Sequence, residues 1–259
     1  MIAVAALCGV LGLLVGSFLN VVIWRVPRGE SVVRPPSACP RCHSPIRARD
    51  NVPVLSWLWL GGHCRDCGEP VSIRYPCVEL SSAVLWALLA WHFGAGWQLP
   101  AFLYLAAVGL ALAVIDLDVQ KLPDALTLPS YVVGIVLLAT AALAGHDAWS
   151  LIRALIGMAI LYAFYLLLVV IYPKGMGWGD VKLAGVLGLY LGYLGWGPLL
   201  VGAFFGFFFG GVVGATLMAA RKVGRKSKVP FGPFMLAGAL LAIFYGNQLA
   251  HAYVSVSRN

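Results

Sequence analysis

The chain has 259 residues, of which 61% are hydrophobic and only 11% are charged, and its mean hydropathy is +0.89. Soluble domains carry about 25% charged residues, so this composition excludes an ordinary globular protein and indicates a polytopic membrane protein. The formal net charge of +8 is explained by topology and by contact with anionic lipid headgroups. It calls for no nucleic-acid partner, because no basic stripe interleaved with aromatic residues accompanies it.

Apolar runs of roughly 20 residues are long enough to cross a bilayer core as α-helices. The sequence contains eight such candidates, so we predict an all-α polytopic membrane protein with about eight transmembrane helices. The first run lacks a basic start and an A-x-A cleavage site, which favours a retained span over a signal peptide. The runs are 2–24, 78–95, 99–116, 126–144, 151–172, 181–195, 198–220 and 231–253.

One substantial polar insertion, 25–77, separates the first two runs. It contains two C-x-x-C motifs with twenty-one residues between them; their cysteines are Cys39, Cys42, Cys64 and Cys67. Each motif can aim two thiolates at one ion, and two motifs complete a tetrahedral site of the kind that binds structural zinc. Two disulfides or four free thiols are the alternatives, and a reducing cytoplasm disfavours the disulfides. Either His43 or His63, beside the motifs, could replace a cysteine ligand.

A site closed by four protein ligands is structural and not catalytic. The insertion is too small to build a core of its own, so a metal would hold it together. The sequence therefore predicts a small cytoplasmic zinc-ribbon-like insertion.

Half of the ten acidic residues gather at the ends of predicted spans: Glu79, Asp116, Asp118, Asp124 and Asp180. An ionisable residue at membrane depth is a candidate functional group, because burying it there is unfavourable. For Asp118 and Asp124 a helix-end or N-cap role is the alternative. Asp116 directly closes the run LAAVGLALAVI, and Asp180 follows GMGWG, whose glycines permit close packing beside a reacting group. For each of the two taken alone, a polar helix terminus is the alternative.

Two carboxylates in one pocket cannot both ionise readily, so one of them keeps its proton near neutral pH. The ionised partner can take a proton from water while the protonated one polarises a carbonyl. We therefore expect Asp116 and Asp180 to form an aspartyl-protease pair. No H-E-x-x-H, G-x-S-x-G or Walker motif competes with this interpretation.

Basic residues indicate the orientation, because cytoplasmic loops are enriched in them. Sixteen of the eighteen fall on one side of the predicted spans: eight arginines in 25–74, Lys121, Lys174, Lys182 and five residues in 221–228. We predict that this side is cytoplasmic and that it carries the insertion and both catalytic aspartates. Arg153, Arg258 and both termini then lie on the other side.

Six sequence blocks together resemble the bacterial type IV prepilin peptidase family, and they span almost the whole chain. G-x-G-D alone is a weak signal, but six blocks in the family's order are specific. The blocks are GSFLNVVIWRVPRGE at 16–30, the double C-x-x-C, RYPCVEL at 74–80, IDLDVQKLPDALTLP at 115–129, G-x-G-D at 177–180 and VPFGPF at 229–234.

The resemblance implies a bifunctional enzyme of the bacterial inner membrane. It implies that Asp116 and Asp180 are the catalytic pair of an intramembrane aspartyl endopeptidase, which removes the leader of type IV prepilins or pseudopilins on the cytoplasmic side. It further implies methylation of the new N-terminus with S-adenosylmethionine as the methyl donor. By the same resemblance the zinc insertion accompanies methylation, and Glu79 is a candidate residue of the donor site. An alternative for Glu79 is a helix N-terminal charge favoured by the dipole.

The predicted organisation is a first transmembrane helix at 1–24, a methyltransferase-associated zinc loop at 25–77 and a transmembrane peptidase core at 78–259. Two other classes of function remain alternatives. A proton-coupled transporter would use membrane carboxylates and Gly-interrupted helices, although no inverted repeat is evident. A non-catalytic scaffold would use the zinc ribbon to recruit partners and leave the aspartates without a role.

Overall fold

A computed structural model of the protein describes residues 1–173, 176–220 and 230–257. The described residues form nine α-helices and no strands beyond two isolated bridges, which confirms the predicted all-α fold. The helices are α1 (Ile2–Arg25), α2 (Leu55–Trp59), α3 (Arg74–Phe93), α4 (Leu99–Val119), α5 (Asp124–Ala144), α6 (Ala148–Ile171), α7 (Trp178–Leu194), α8 (Trp196–Ala219) and α9 (Gly232–Ser257).

Part of the basic sequence behind the predicted orientation lies outside the described residues. This applies to Lys174, to the loop 221–228 and to Arg258. Val229, the first residue of the VPFGPF block, is also outside them. The eight arginines of 25–74 and Lys182 are described.

Within the described residues, seven helices are long and apolar enough to cross a membrane, namely α1, α3, α4, α5, α6, α8 and α9. The remaining predicted run, 181–195, coincides with α7. This helix has 17 residues and is therefore only about 26 Å long at 1.5 Å per residue. Neighbouring helices bury most of its side chains, so α7 does not need the length of a lipid-facing span.

The chain divides into two compact units, Met1–Ala111 and Leu112–Asn259, with the division inside α4. In the first unit α1 packs lengthwise against α3. Two glycines one helical turn apart make this possible: a Cβ on Gly12 would lie 2.8 Å from Cα of Ala83, and one on Gly16 would lie 2.7 Å from Cα of Glu79. Small residues at this spacing let two membrane helices approach closely.

In the second unit α7 is the central helix, because α5, α6, α8 and α9 all pack against it. Its closest neighbour is α6, where a Cβ on Gly157 would lie 2.6 Å from the carbonyl oxygen of Gly188. From α5, the Tyr131 hydroxyl donates a hydrogen bond to the carbonyl oxygen of Lys182 at 2.6 Å. At the far end of α7, Arg153 donates to the carbonyl oxygens of Gly192 and Tyr193. Neighbouring helices thus fix the position of α7, whose first turn carries Asp180.

Candidate catalytic and metal-binding sites

Asp116 lies near the end of α4 and is only 5% exposed. Its Oδ2 atom accepts a hydrogen bond from the backbone N–H of Gly232 at 3.0 Å. Gly232 is the first residue of α9, where backbone N–H groups have no partner within the helix. The VPFGPF block thus has a structural role that the sequence did not reveal: its glycine holds one of the two candidate catalytic carboxylates.

Asp180 lies in the first turn of α7 and is 9% exposed. Its Oδ2 atom accepts a hydrogen bond from the backbone N–H of Gly177 at 2.9 Å, and its own N–H donates to the Gly177 carbonyl at 3.1 Å. An acidic residue three positions after the N-cap residue commonly makes this return contact. The spacing of G-x-G-D therefore fixes the carboxylate at the helix start.

Leu122 joins the elements that carry the two aspartates. A Cβ on Gly179 would lie 2.9 Å from Cβ of Leu122. A Cβ on Gly232 would lie 2.9 Å from Oδ2 of Asp116 and 3.3 Å from Cδ2 of Leu122. Both glycines thus leave room for the buried Leu122 side chain. Leu122 thus connects the start of α7, which carries Asp180, with the start of α9, whose Gly232 N–H binds Asp116. The two aspartates expected from the sequence therefore lie at neighbouring helix ends.

The other two aspartates of this region have different environments. Asp118 is exposed in the last turn of α4. Asp124 is the first residue of α5 and is not its N-cap residue, because Pro123 occupies that position. The Asp124 carboxylate instead pairs with Nζ of Lys182 on α7 at 2.6 Å. The N-cap interpretation of Asp124 is therefore wrong, although its position at a helix end is as expected.

The four cysteines of the insertion converge on one point. Their Sγ atoms all lie within 4.8 Å of one another, with 3.7 Å between Cys39 and Cys67 and 4.0 Å between Cys42 and Cys64. Four sulfurs around a tetrahedral zinc with 2.3 Å bonds are about 3.8 Å apart, so the donor set fits that ion. Hydrogen bonds from Ser44 lower the pKa of the Cys42 thiol, and backbone hydrogen bonds lower that of Cys64, which favours the thiolate form that binds metals. The pKa of the neighbouring Cys67 thiol is raised, so the thiols share their protons unevenly.

The two C-x-x-C motifs have the same backbone geometry. The N–H groups of Cys39 and Cys64 each donate to the carbonyl five residues later, and the N–H groups of His43 and Gly68 each donate to the carbonyl of the first cysteine. His43 and Gly68 both have a positive φ, of 58° and 71°. His43 is therefore a turn residue, and the four cysteines form the cluster without it.

Three ion pairs connect the two halves of the insertion. Arg41 pairs with Glu69, Arg47 with Asp66 and Arg65 with Asp50. Arg65 contacts both oxygens of Asp50, at 2.6 to 3.0 Å, and this hydrogen bonding lowers the pKa of Asp50. Each pair joins a residue in or just after the first C-x-x-C motif to a residue in or just after the second motif. Together the pairs hold the two motifs, and thus the four thiols, next to each other.

Glu79 is buried on α3, five residues after its start at Arg74. Its Oε2 atom accepts a hydrogen bond from the backbone N–H of Val54 at 2.7 Å. Val54 has a φ of 61°, an unfavourable conformation for a β-branched residue. Glu79 therefore holds the strained residue Val54 of the insertion against α3. A charge that interacts with the helix dipole lies in the first turn, and Glu79 lies beyond that turn.

Glu79 also lines a cavity of about 470 Å³ in the first unit. Other lining residues are Trp24, Asp50, Trp57 and Tyr75. This volume is within the usual range of small-molecule sites, and aromatic walls with a few charged groups are typical of them. The cavity lies beside the cysteine cluster, since Cys39 and Cys64 also contribute to its wall.

Comparison with known proteins shows where the chain belongs. The sequence model of the Type IV leader peptidase family matches residues 103–215, and that of the Bacterial Peptidase A24 N-terminal domain matches residues 10–93. A prepilin leader peptidase/N-methyltransferase of Stutzerimonas stutzeri is 36% identical over 273 aligned residues, which cover 96% of this chain and 93% of the relative. The chain belongs to the type IV leader peptidase family.

Further relatives of the same description support this membership. The protein of Pseudomonas aeruginosa is also 36% identical, over 96% of this chain and 93% of its own. The protein of Myxococcus xanthus is 41% identical over 85% of this chain and 65% of its own. No solved structure matches. The cysteine cluster and Glu79 fall within the segment matched by the N-terminal family model, and both aspartates fall within the peptidase segment.

Proposed function

We propose that this chain cleaves the leader of type IV prepilins or pseudopilins and then methylates the new N-terminus. Cleavage would occur at the cytoplasmic face of a bacterial inner membrane. The observation that carries the proposal is the pair Asp116 and Asp180, two buried carboxylates at helix ends that both contact the region around Leu122 through Gly179 and Gly232. Relatives named prepilin leader peptidase/N-methyltransferase support the substrate and both reactions.

The hydrogen bonding of the two aspartates suits acid–base catalysis. Each uses Oδ2 to accept one backbone N–H, and within the described part of the chain nothing bonds to either Oδ1 atom. One carboxylate can therefore keep a proton on a free oxygen while the other stays ionised. The ionised member takes a proton from a water molecule, and the protonated member donates to the carbonyl of the peptide bond. The water oxygen attacks the carbonyl carbon to form a tetrahedral diol, and the aspartate that took the proton returns it to the leaving nitrogen as the C–N bond breaks. Neither a metal nor a nucleophilic side chain takes part.

The distribution of charge supports the cytoplasmic placement of this chemistry. Eight arginines lie between the end of α1 and the start of α3, and short cytoplasmic loops are enriched in such residues. Asp116 near the end of α4 and Asp180 at the start of α7 lie at span ends of the same predicted side. A prepilin whose basic leader stays in the cytoplasm would present its scissile bond at this level.

We assign the cluster of Cys39, Cys42, Cys64 and Cys67 to a structural zinc ion. The sulfur spacing supports this assignment, and all four positions of a tetrahedral ion would be taken by protein ligands. Such an ion leaves no position for a reacting molecule. Its function is then to fix the insertion, together with the three arginine–carboxylate pairs.

We assign methyl transfer to the cavity that Glu79 lines. S-adenosylmethionine supplies an electrophilic methyl group on a positively charged sulfur, and the volume and aromatic wall of the cavity suit a molecule of that size. Glu79 would place negative charge beside this cation. Its hydrogen bond to Val54 would keep the carboxylate oriented towards the cavity.

The experiment is to incubate purified protein in lipid with a prepilin and S-adenosylmethionine carrying an isotopically labelled methyl group. Intact mass spectrometry of the pilin should show loss of the leader first and gain of one labelled methyl group afterwards. Because the amine to be methylated does not exist before cleavage, no methylated full-length prepilin should accumulate. An uncut prepilin after prolonged incubation would contradict the proposal.

A further inference from the structure

The short helix α2 exposes an apolar face although it belongs to the polar insertion. Leu55, Leu58 and Trp59 are 64%, 61% and 88% exposed. They occupy positions i, i+3 and i+4 of the helix and so share one side of it. Three large apolar residues together on a surface indicate contact with something apolar.

The depth of α2 relative to the membrane follows from its contact with α3. The helix α3 has 20 residues, about 30 Å, which matches the hydrocarbon core of a bilayer. Glu79 comes five residues after Arg74 and therefore lies about 7.5 Å inside the span. The N–H of Val54, the residue directly before α2, is 2.7 Å from the Glu79 carboxylate. The start of α2 is thus level with the second turn of a transmembrane helix.

The two tryptophans of α2 have opposite environments. The indole N–H of Trp57 donates to the carbonyl of Val71 at 2.9 Å, and its ring lies so close to Gly62 that a Cβ there would be 2.9 Å away. Trp57 therefore packs into the insertion. Trp59, two residues later, points away from it and is the most exposed large apolar residue in the described part of the chain.

Neighbouring residues have the character of a membrane interface. At the end of α1, Trp24 is exposed and the Arg28 guanidinium lies 3.6 Å from its ring centroid. Ile73 and Tyr75 are exposed where α3 begins. Tryptophan, tyrosine and arginine are the residues that gather at the headgroup level of bilayers. The insertion also has eight arginines against four acidic residues, which favours anionic headgroups.

We propose that α2 is an interfacial anchor: Leu55, Leu58 and Trp59 insert into the bilayer at the boundary between headgroups and acyl chains. Interfacial helices bury their apolar face about 5–10 Å into that boundary, the depth that the contact with Glu79 gives. This anchor holds the insertion and its cavity against the lipid surface. The inference depends on α1 and α3 crossing the membrane and is independent of the proposed catalysis. Lipid is the occupant because α2 starts at the depth of the Glu79 carboxylate and lies among the interfacial residues Trp24, Arg28 and Tyr75.

The test uses the full chain with 5-fluorotryptophan at all nine tryptophan positions, in nanodiscs of phosphatidylethanolamine and phosphatidylglycerol. Fluorine NMR follows each ring, and the Trp57→Phe and Trp59→Phe variants assign the two signals. A lipid with a spin label near the headgroup end of its acyl chain should remove most of the Trp59 signal. A water-soluble gadolinium chelate should leave most of that signal intact.

Trp57 is the matched control on the same helix and should lose less signal than Trp59 to the spin-labelled lipid. A Leu55→Ser and Leu58→Ser double variant should make Trp59 more accessible to the chelate, and an unchanged Trp57 shift would show that the insertion is still folded. The proposal is overturned if the chelate, and not the lipid, removes the Trp59 signal. Protection of Trp59 from both reagents would also overturn it, because a protein surface would then cover α2.

Discussion

The aspartate pair and the cysteine cluster both unite distant parts of the sequence, but they do so by different means. In the second unit, backbone N–H groups of Gly177 and Gly232 hold the carboxylates, and glycines leave room for the neighbouring side chain. In the insertion, thiols and arginine–carboxylate pairs make the connections. Side-chain charges are unfavourable among membrane helices, whereas helix ends offer unpaired N–H groups there. We therefore expect the aspartate pair to be sensitive to added side-chain atoms at the neighbouring glycines, and the cysteine cluster to be sensitive to loss of the zinc ion that we propose for it.

The largest expected effect is on cleavage by the aspartate pair. Asp116→Asn and Asp180→Asn should each lower the rate of leader removal by about 100- to 10,000-fold, the usual contribution of a positioned acid or base. An amide can still accept the backbone N–H but cannot exchange the catalytic proton. The measurement is single-turnover cleavage of a prepilin by purified protein in lipid.

Asp118→Asn is the matched control for this comparison, because Asp118 is exposed two residues after Asp116. It should cleave at a rate within a few-fold of the unchanged protein. Near-normal cleavage by either variant of the pair would remove that residue from the mechanism.

The next effect concerns the zinc ion proposed for the insertion. Purified protein should contain about one zinc ion per chain, the stoichiometry of a four-cysteine site. Replacing Cys39 and Cys42 with serine should abolish metal binding, measured by elemental analysis, and make 25–77 sensitive to proteases. The aspartate pair should still cleave prepilin, although a loosened insertion lowers the stability of the protein. A metal-free protein with four freely titrating thiols and a protease-resistant insertion would refute the zinc assignment.

Glu79→Gln tests whether the two activities are separable. Glutamine can still accept the Val54 N–H, so the insertion should stay in place while the negative charge is lost. We expect nearly normal leader removal but a mature pilin that lacks its N-terminal methyl group, as measured by mass spectrometry. Weaker binding of S-adenosylmethionine, measured by equilibrium dialysis, should accompany this loss. Full methylation would exclude Glu79 from the donor site, and lost cleavage would mean that Glu79 supports the whole fold.

Gly232→Ala should have a moderate effect on cleavage and sharpens the contrast between the two sites. The new Cβ would lie 2.9 Å from Oδ2 of Asp116, so the carboxylate has to move. A misplacement of about 1 Å can lower a catalytic rate up to about 100-fold, and kcat should fall more than KM rises. Gly211→Ala on α8 is the control, since a Cβ there meets nothing within 4 Å and should leave the rate unchanged. Equal effects of both substitutions would show that Gly232 has no positioning role.

The sequence predicted what depends on composition and spacing. The lengths of the apolar runs predicted the all-helical fold, and the two C-x-x-C motifs predicted the cluster of four sulfurs that the structure contains. Contacts between helices were not predictable, because a single apolar residue carries no sign of what it packs against. Nothing in the sequence distinguishes Leu122 from other leucines in loops, yet its side chain fills the space that a Cβ on Gly179 or Gly232 would need. The catalytic roles of Asp116 and Asp180 and the presence of zinc stay predictions.

Asp124→Asn should have the smallest effect, because it removes one member of a partly exposed ion pair. Asp124 and Lys182 are 56% and 29% exposed, and such pairs contribute about 0–1 kcal/mol. Lys182 lies two residues after Asp180, but the Tyr131 hydroxyl also holds its carbonyl oxygen, so the start of α7 keeps a second contact with α5. We expect cleavage within about fivefold of the unchanged protein, the rate equivalent of 1 kcal/mol. The cleavage rate should also become less dependent on salt concentration, because the lost pair was open to screening. A loss as large as that of Asp180→Asn would instead show that cleavage requires Asp124 as well as the catalytic pair.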